Sequence, residues 1–233
     1  PDLVKELGLS PAELGLLTAA YLGAFAAFQL PLGVLLDRYG PRRVQAVLLS
    51  LAALGALLFA LSTDAVALTA ARALIGLGFA GGLMAGFKAV VIWISPDRRP
   101  LANSFVMSAG AIGLLVSTTP MEIAIQTYGW RNVFILLAGI TLQAALIILV
   151  FVPERESPSE GEPLGAQISQ IGRILKDRAF WALAPILATT AGSHIAIQTL
   201  WAGHWLRDVA GLGRAAAADY LFLMAFAFFV GIL

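Results

Sequence analysis

Two basic residues, Arg72 and Lys88, lie inside a stretch, residues 65–96, that otherwise carries no charge. A cation in a membrane-spanning helix costs about 2.5 kcal/mol or more unless it reaches water, the interface or a partner. Arg72 therefore either extends to the outer surface or faces a water-filled cavity, where it would bind an anion. Lys88 either extends to the inner surface or serves substrate binding or ion coupling. On an ideal helix the two side chains point about 160° apart, so they do not form one simple clamp.

A second group of polar and aromatic side chains follows one face of the stretch 179–206. At about 100° per residue, its four members fall within about 80° of one another: Thr190, His194, Gln198 and Trp201. Buried polar groups need a partner or water, so this face either lines a cavity or forms bonds between helices. His194 titrates near neutrality, which makes it a candidate for proton coupling.

The composition indicates a membrane protein that would hold these residues on helices. Only 12% of the residues are charged and 59% are hydrophobic, whereas about 25% of a soluble protein is charged. Stretches without Asp, Glu, Lys or Arg are long enough to cross a bilayer, which takes about 20 residues; they are 14–36, 44–63, 100–121, 132–153 and 179–206. Residues 65–96 form a further span, and 220–233 is the beginning of a seventh. We predict an all-α membrane protein, a polytopic helical bundle.

Several function classes are excluded by what the sequence lacks. The chain has no cysteine and a net charge of +1, so it offers no thiolate nucleophile, no thiolate metal site and no field that attracts nucleic acid. It has no nucleotide-binding Gly-rich loop and no Gly-x-Ser-x-Gly elbow. A retinal Schiff base needs a lysine in the last helix, where none is present. We therefore expect no enzyme, no catalytic residue, no metal and no cofactor.

The loops between the predicted spans differ in their basic residues. One alternate set, 37–43, 97–99 and 154–178, holds nine Lys and Arg residues, and the other holds four. Cytoplasmic loops carry the excess of Lys and Arg. The first set is therefore predicted to be cytoplasmic, with the chain in the inner (plasma) membrane.

The first loop that is predicted to be cytoplasmic combines basic residues with an aspartate and glycines, a pattern that the membrane orientation of the chain alone does not require. It reads G33-V-L-L-D37-R38-Y-G40-P-R42-R43. Gly40 suits a turn with positive φ, Pro41 suits the first position of the next helix, and Asp37 at a helix C-terminus needs a cation or N–H partner. This pattern resembles the signature loop between the second and third helices of the major facilitator superfamily, with Pro41 where many members have a basic residue. R72-A-L-I-G76-L-G78 and G129-W130-R131-N-V-F134 resemble that family's fourth helix and the entry to its sixth.

The resemblance implies a domain organisation. It assigns the spans to family helices 2 to 8, so we expect a fragment: an N-terminal bundle without family helix 1 at 1–153, a cytoplasmic linker at 154–178, and a C-terminal bundle that starts at 179–233 and stops within its second helix. Within the linker, 164–176 has the apolar spacing of an amphipathic helix on the membrane surface. The expected switch loop comprises Gly33, Asp37, Arg38, Gly40, Arg42 and Arg43.

The implied function is secondary transport of a small solute by alternating access, driven by a proton or another ion. The two in-membrane cations favour a small organic anion as substrate, and the lipid bilayer is the other partner. We expect a monomer when full length, and no transport by residues 1–233 alone, because a rocking mechanism needs two complete bundles. The alternatives are a drug/proton antiporter of the same fold and a non-transporting seven-helix membrane receptor. Leu114, where drug antiporters of the family have proline, weakens the former.

Overall fold

The computed structural model describes residues 2–153, 172–197 and 201–232, and these residues form helices and connecting turns with no strand among them. The helices of the first part are α1 (Asp2–Leu7), α2 (Pro11–Leu61), α3 (Ala65–Phe79), α4 (Gly82–Trp93), α5 (Arg99–Val116), α6 (Thr119–Tyr128) and α7 (Trp130–Phe151). The remainder holds α8 (Arg178–Ala196), α9 (Ala202–His204) with a π-helical turn at Trp205–Val209, and α10 (Arg214–Ile232). The predicted all-α fold is confirmed.

Helix α2 consists of two arms that meet at Gly40. Ser10 begins it with a capping box, in which the Ser10 side chain accepts from the Glu13 backbone and the Glu13 side chain accepts from the Ser10 backbone. At Gly40 the backbone takes φ 74° and ψ 160°, a conformation that favours glycine. Pro41, whose ring fixes a helical φ, follows at once. The positive φ predicted for Gly40 is confirmed, and the predicted spans 14–36 and 44–63 are the two arms.

The predicted span 65–96 is interrupted between α3 and α4. Gln29 Nε2 donates to the carbonyl oxygen of Ala80 at 3.2 Å, which supplies that carbonyl with a partner outside its own helix. A side chain at Gly81 would meet Leu48 Cδ1 at 2.7 Å, so the turn packs directly on the second arm of α2. The predicted span therefore consists of two helices joined by a short turn. Residues Ala65–Trp93 are nevertheless long and apolar enough to cross a membrane.

Within the described residues, five segments have the length and composition of membrane spans. They are Pro11–Leu61, Ala65–Trp93, Pro96–Val116, Trp130–Phe151 and Arg214–Gly231. The last helix begins at Arg214 rather than at residue 220 as predicted. The predicted span 179–206 corresponds to α8 and α9, and Gln198, within it, lies outside the described residues.

Contacts between its residues divide the chain into two compact units. Unit 1 comprises Pro1–Val106 and Ala124–Gly161, and unit 2 comprises Met107–Ile123 and Glu162–Leu233. Unit 1 has two apolar cores: one around Phe59, Leu68 and Trp130, and one around Leu32 and Leu48. The predicted organisation at 1–153, 154–178 and 179–233 stays a prediction. Of the predicted amphipathic helix 164–176, only 172–176 is described, and it is helical.

Candidate functional site

Arg72 lies against aromatic rings in the core of unit 1. It is the eighth residue of α3, about 10 Å along the helix from its start. Its guanidinium carbon is 4.7 Å from the centroid of the Phe59 ring and 5.6 Å from that of Phe134. Phe59 comes from the second arm of α2 and Phe134 from α7, so three helices build this seat.

The two rings are held by further aromatic contacts. The Phe59 and Phe134 centroids are 4.5 Å apart, and Trp130 packs edge-on against Phe59 at 5.7 Å. Phe59 is fully buried and Trp130 is buried. Because each ring packs against the others, the surface beneath the Arg72 guanidinium is rigid.

Ring faces attract a guanidinium but do not use its hydrogen-bond donors. A cation–π contact is worth about 0.5–2 kcal/mol, depending on how far it is desolvated. In the part of the chain that the structure describes, no hydrogen bond or ion pair of the Arg72 side chain is found. Arginine carries five N–H donors in a planar fork that matches a carboxylate. The half-buried Arg72 therefore has donors available for an anion.

A polar cluster next to this seat joins the start of α7 to α1 and to the end of α2. Glu6 accepts from Trp130 Nε1 at 2.7 Å and from Arg131 Nε at 2.9 Å. Arg131 Nη1 also donates to the carbonyl oxygens of Ala60 (2.6 Å) and Ser62 (2.9 Å). The hydrogen bonds from Trp130 and then Arg131 hold the pKa of Glu6 below its ordinary value. This cluster fixes the helix that contributes Trp130 and Phe134, so it positions the rings under Arg72.

Sequence reasoning identified Trp130 and Arg131 only as part of a motif and missed Glu6. The signal that could have indicated a fixed geometry is Gly129, which has φ 79° directly before α7. Glycine is favoured at such a φ, and the residues that follow it are oriented by that turn.

The switch loop meets α4 through Lys88. Lys88 Nζ donates to Asp37 Oδ1 in an ion pair, and the Lys88 side chain is the more buried of the two. Asp37 was expected to need a cation or N–H partner, and the structure supplies a cation from the middle of α4. The pairing compensates both charges, with the lysine extending along its helix to reach the carboxylate.

The remaining loop residues contact helix ends or solvent. Arg42 Nη2 donates to the carbonyl oxygen of Leu149, near the end of α7, at 2.6 Å. The Arg38 guanidinium lies 5.7 Å from the ring centroid of its neighbour Tyr39. Arg43 is exposed, and a side chain at Gly33 would meet nothing within 4 Å. Arg99, from the second predicted cytoplasmic loop, donates to the carbonyl oxygens of Ile94 and Val91.

The polar face predicted on 179–206 is only partly described. The Thr190 hydroxyl donates to the carbonyl oxygen of Ile186 at 2.8 Å, within its own helix. The Trp201 side chain is 68% exposed and lines a cleft of about 420 Å³ with Trp205 and Met224. The His194 side chain and all of Gln198 lie outside the described residues. The shared cavity of Arg72, His194 and Gln198 stays a prediction.

Unit 2 contains an ion pair that the sequence did not reveal. Arg214 at the start of α10 pairs with Glu122 of α6 through both carboxylate oxygens, the Nη2–Oε2 distance being 3.1 Å. Three residues before Glu122, the Thr119 hydroxyl donates to Asp219 Oδ1 at 3.1 Å. Two polar contacts therefore join the same pair of helices. Across the described residues, no group of three His, Asp or Glu side chains could hold a metal.

Comparison with known proteins identifies the family. The model of the Major Facilitator Superfamily matches residues 1–233. The chain belongs to the major facilitator superfamily. The resemblance of the signature loop is thereby confirmed, and with its apolar helices the chain is a multi-pass membrane protein.

Curated relatives of this major facilitator chain are named transporters. It is 26% identical over 173 residues to the probable sulfoacetate transporter SauU of Cupriavidus necator, covering 74% of this chain and 40% of that protein. It is 26% identical over 200 residues to the hexuronate transporter of Escherichia coli K12, covering 79% and 46%. It is 29% identical over 178 residues to the probable galactarate/D-glucarate transporter GudP of Bacillus subtilis, covering 73% and 39%. The chain thus spans less than half the length of these relatives, and their names agree with the prediction that it is not an enzyme.

Proposed function

We propose that this chain belongs to a secondary transporter of a small organic anion bearing a carboxylate or a similar acidic group. The relatives named above are transporters of sulfoacetate, hexuronate and galactarate/D-glucarate, according to their names. All of these solutes carry an anionic group at neutral pH. The drug antiporter and the receptor have no comparable support from these relatives.

The proposal depends on the contact of the Arg72 guanidinium with the Phe59 and Phe134 rings. A guanidinium held on ring faces keeps its N–H edge available to an anion, whereas the N–H edge of one paired with an acid of the protein would already be occupied. A substrate carboxylate can then accept two parallel hydrogen bonds, which give geometric selectivity as well as affinity. Lysine would not substitute well, because its point charge lacks the planar fork. We assign Arg72 as the main substrate anion contact.

The coupling and conformational parts of the proposal rest on family membership. Transporters of this kind bind substrate near the membrane midplane and expose it alternately to each side. His194, Gln198, Thr190 and Trp201 remain the candidates for substrate contact or ion coupling, and loops 37–43, 97–99 and 154–178 are the cytoplasmic ones in an inner membrane. The pairing of Lys88 with Asp37 supports a role for Lys88 in the switch loop rather than in direct substrate contact.

The experiment measures uptake of radiolabelled glucuronate into proteoliposomes containing the full-length protein. Arg72→Lys keeps the charge and Arg72→Gln removes it; charged hydrogen bonds of about 1.5–3 kcal/mol predict a roughly 10- to 150-fold weaker apparent affinity for Arg72→Gln. Arg207→Gln is the control, because Arg207 Nε donates to the Gly203 carbonyl within one turn.

Two results would contradict the assignment. Wild-type affinity in Arg72→Gln would remove Arg72 from the substrate site. Uptake of neutral glucose by the wild type, with no competition from glucuronate, would overturn the organic-anion class itself.

A further inference from the structure

Tyr21, on the first arm of α2, lies beside Arg72. The first arm approaches α3 at two points. At one, a side chain at Gly76 would overlap the Tyr21 backbone. At the other, Gln29 Nε2 donates to the Ala80 carbonyl oxygen. Residue numbers rise together from the first point to the second, so the arm and α3 run in the same direction. Side chains of helical residues lean toward the start of their helix, and Arg72 precedes Gly76 by one turn, so the Tyr21 ring leans toward the level of Arg72.

Further contacts hold the Tyr21 ring at the core on which Arg72 lies. The ring stacks on Phe25, with centroids 6.4 Å apart and planes inclined by 25°. Tyr21 also packs against the apolar core that contains Phe59, whose ring lies under the Arg72 guanidinium. The Tyr21 and Arg72 side chains are near enough to interact electrostatically. The phenol is therefore held next to the seat of Arg72.

The Tyr21 hydroxyl is open to a ligand. Like the Arg72 guanidinium, it makes no hydrogen bond within the part of the chain that the structure describes. None of the buried, unpartnered polar side-chain atoms of the described residues belongs to Tyr21 or Arg72, so water reaches the unbonded groups of both. A tyrosine hydroxyl donates and accepts, whereas a guanidinium only donates. Arg72 therefore suits an anionic group, and Tyr21 suits a group that also donates and accepts, such as an alcohol.

We propose that Tyr21 is a specificity-determining residue, which binds a hydroxyl of the solute whose carboxylate lies on Arg72. This inference rests on the proposed transport of an organic anion, and it narrows the substrate to hydroxy acids. The planar fork of Arg72 binds both carboxylate oxygens, so the Tyr21 hydroxyl bonds to the alcohol next to the carboxylate. An acid without that alcohol leaves the Tyr21 hydroxyl unpaired in the complex, which weakens its binding.

The test compares the binding of D-gluconate and 2-deoxy-D-gluconate to the purified full-length protein by isothermal titration calorimetry. The two acids have the same charge and carbon chain and differ only in the hydroxyl next to the carboxylate. We expect the wild type to bind gluconate about fivefold more tightly, the value of one typical hydrogen bond. Tyr21→Phe should bind gluconate about fivefold more weakly than the wild type does and should bind 2-deoxygluconate with unchanged affinity.

Two further variants serve as controls. Tyr21→Phe keeps the ring that stacks on Phe25, and Tyr128→Phe removes the same hydroxyl from a tyrosine that is 68% exposed at the end of α6. Tyr128→Phe should bind both acids as the wild type does. Arg72→Gln should weaken the binding of both acids to the same extent, because it acts on the carboxylate that they share. It therefore tests the anion site independently of Tyr21.

Four outcomes would overturn the inference. Equal affinity of the wild type for the two acids, or unchanged gluconate binding by Tyr21→Phe, would remove Tyr21 from hydroxyl recognition, even where Arg72→Gln shows that the anion site is correct. An equal loss for both acids in Tyr21→Phe would show that its hydroxyl bonds to the carboxylate. Binding of neither acid by the wild type would exclude the hydroxy-acid class, and uptake of glucuronate would then decide the proposed function separately.

Discussion

Gly78 is a position where α3 packs so closely on α2 that one added methyl group would disturb the packing. A Cβ built at Gly78 would lie 2.4 Å from the backbone nitrogen of Ala52 and 2.6 Å from its Cα and Cβ. Something must shift when such a distance is below 3.0 Å, so the Gly78→Ala variant must move the two helices apart. Backbone atoms, unlike the end of a flexible side chain, cannot turn aside.

The size of the effect follows from two opposing contributions. Overpacking costs typically 1–3 kcal/mol, and a clash with backbone belongs near 3 kcal/mol. Alanine is better than glycine in a helix interior by about 1 kcal/mol. We therefore expect Gly78→Ala to lower the free energy of unfolding by about 2 kcal/mol.

The Gly139→Ala variant, in the interior of α7, isolates the effect of helix propensity on the free energy of unfolding. A side chain there would meet nothing within 4 Å, so this variant should be stabilised by up to about 1 kcal/mol. Both variants are compared with wild type by denaturant unfolding in detergent, followed by tryptophan fluorescence. If Gly78→Ala were as stable as Gly139→Ala, α2 and α3 would not approach as closely as the structure places them.

Three further predictions concern polar contacts. Because the pKa of Glu6 is lowered in the folded state, the Glu6 carboxylate stabilises the protein above its unfolded pKa, and this stabilisation is lost as pH falls below about 4.5. The melting temperature of Glu6→Gln should therefore fall less steeply at acid pH than that of the wild type. An equally steep fall in both proteins would contradict this prediction. In a double-mutant cycle, Asp37→Asn and Lys88→Gln should each lower the free energy of unfolding. The double variant should lose less than the sum of the two single losses, with a coupling energy of about 1 kcal/mol given the exposure of Asp37. Strictly additive losses would show that the pair does not form. Cysteines placed at Thr119 and Asp219 should crosslink readily with a short bifunctional thiol reagent, because these two side chains are in hydrogen-bond contact. The chain has no native cysteine that could react in their place. Slow crosslinking would show that α6 and α10 are not adjacent at these positions.

Features encoded within a few residues of one another were predictable. The long apolar runs predicted the helical membrane fold, and the glycine before Pro41 predicted a positive φ that the structure confirms at Gly40. Both are local properties: a run of apolar residues needs no other part of the chain to indicate a span, and only glycine adopts that turn at low cost.

Features that depend on distant residues were not predictable. Asp37 and Lys88 are 51 positions apart, and nothing in either segment names the other as its partner. Arg72 was recognised as an unusual charge, but its seat is made by Phe59 and Phe134, which come from two other helices. The turn between α3 and α4 likewise depends on the Gln29 amide reaching Ala80 from α2. In each case the local structure depends on a residue that is distant in sequence and close in space. A single sequence does not indicate which distant residues will be in contact.

The hydrogen bonds between Glu6 and α7 constrain the order in which a nascent chain can complete its fold. Glu6 must wait for Trp130, which is synthesised 124 residues later. At about 5–20 residues per second, this delay is roughly 6–25 s. During that time α1 and α2 have already emerged from the ribosome while the Glu6 carboxylate still lacks both of its donors. The arrival of α7 therefore supplies both donors of the Glu6 carboxylate, and a ribosome that stalled before Trp130 would leave this part of the protein open to proteolysis.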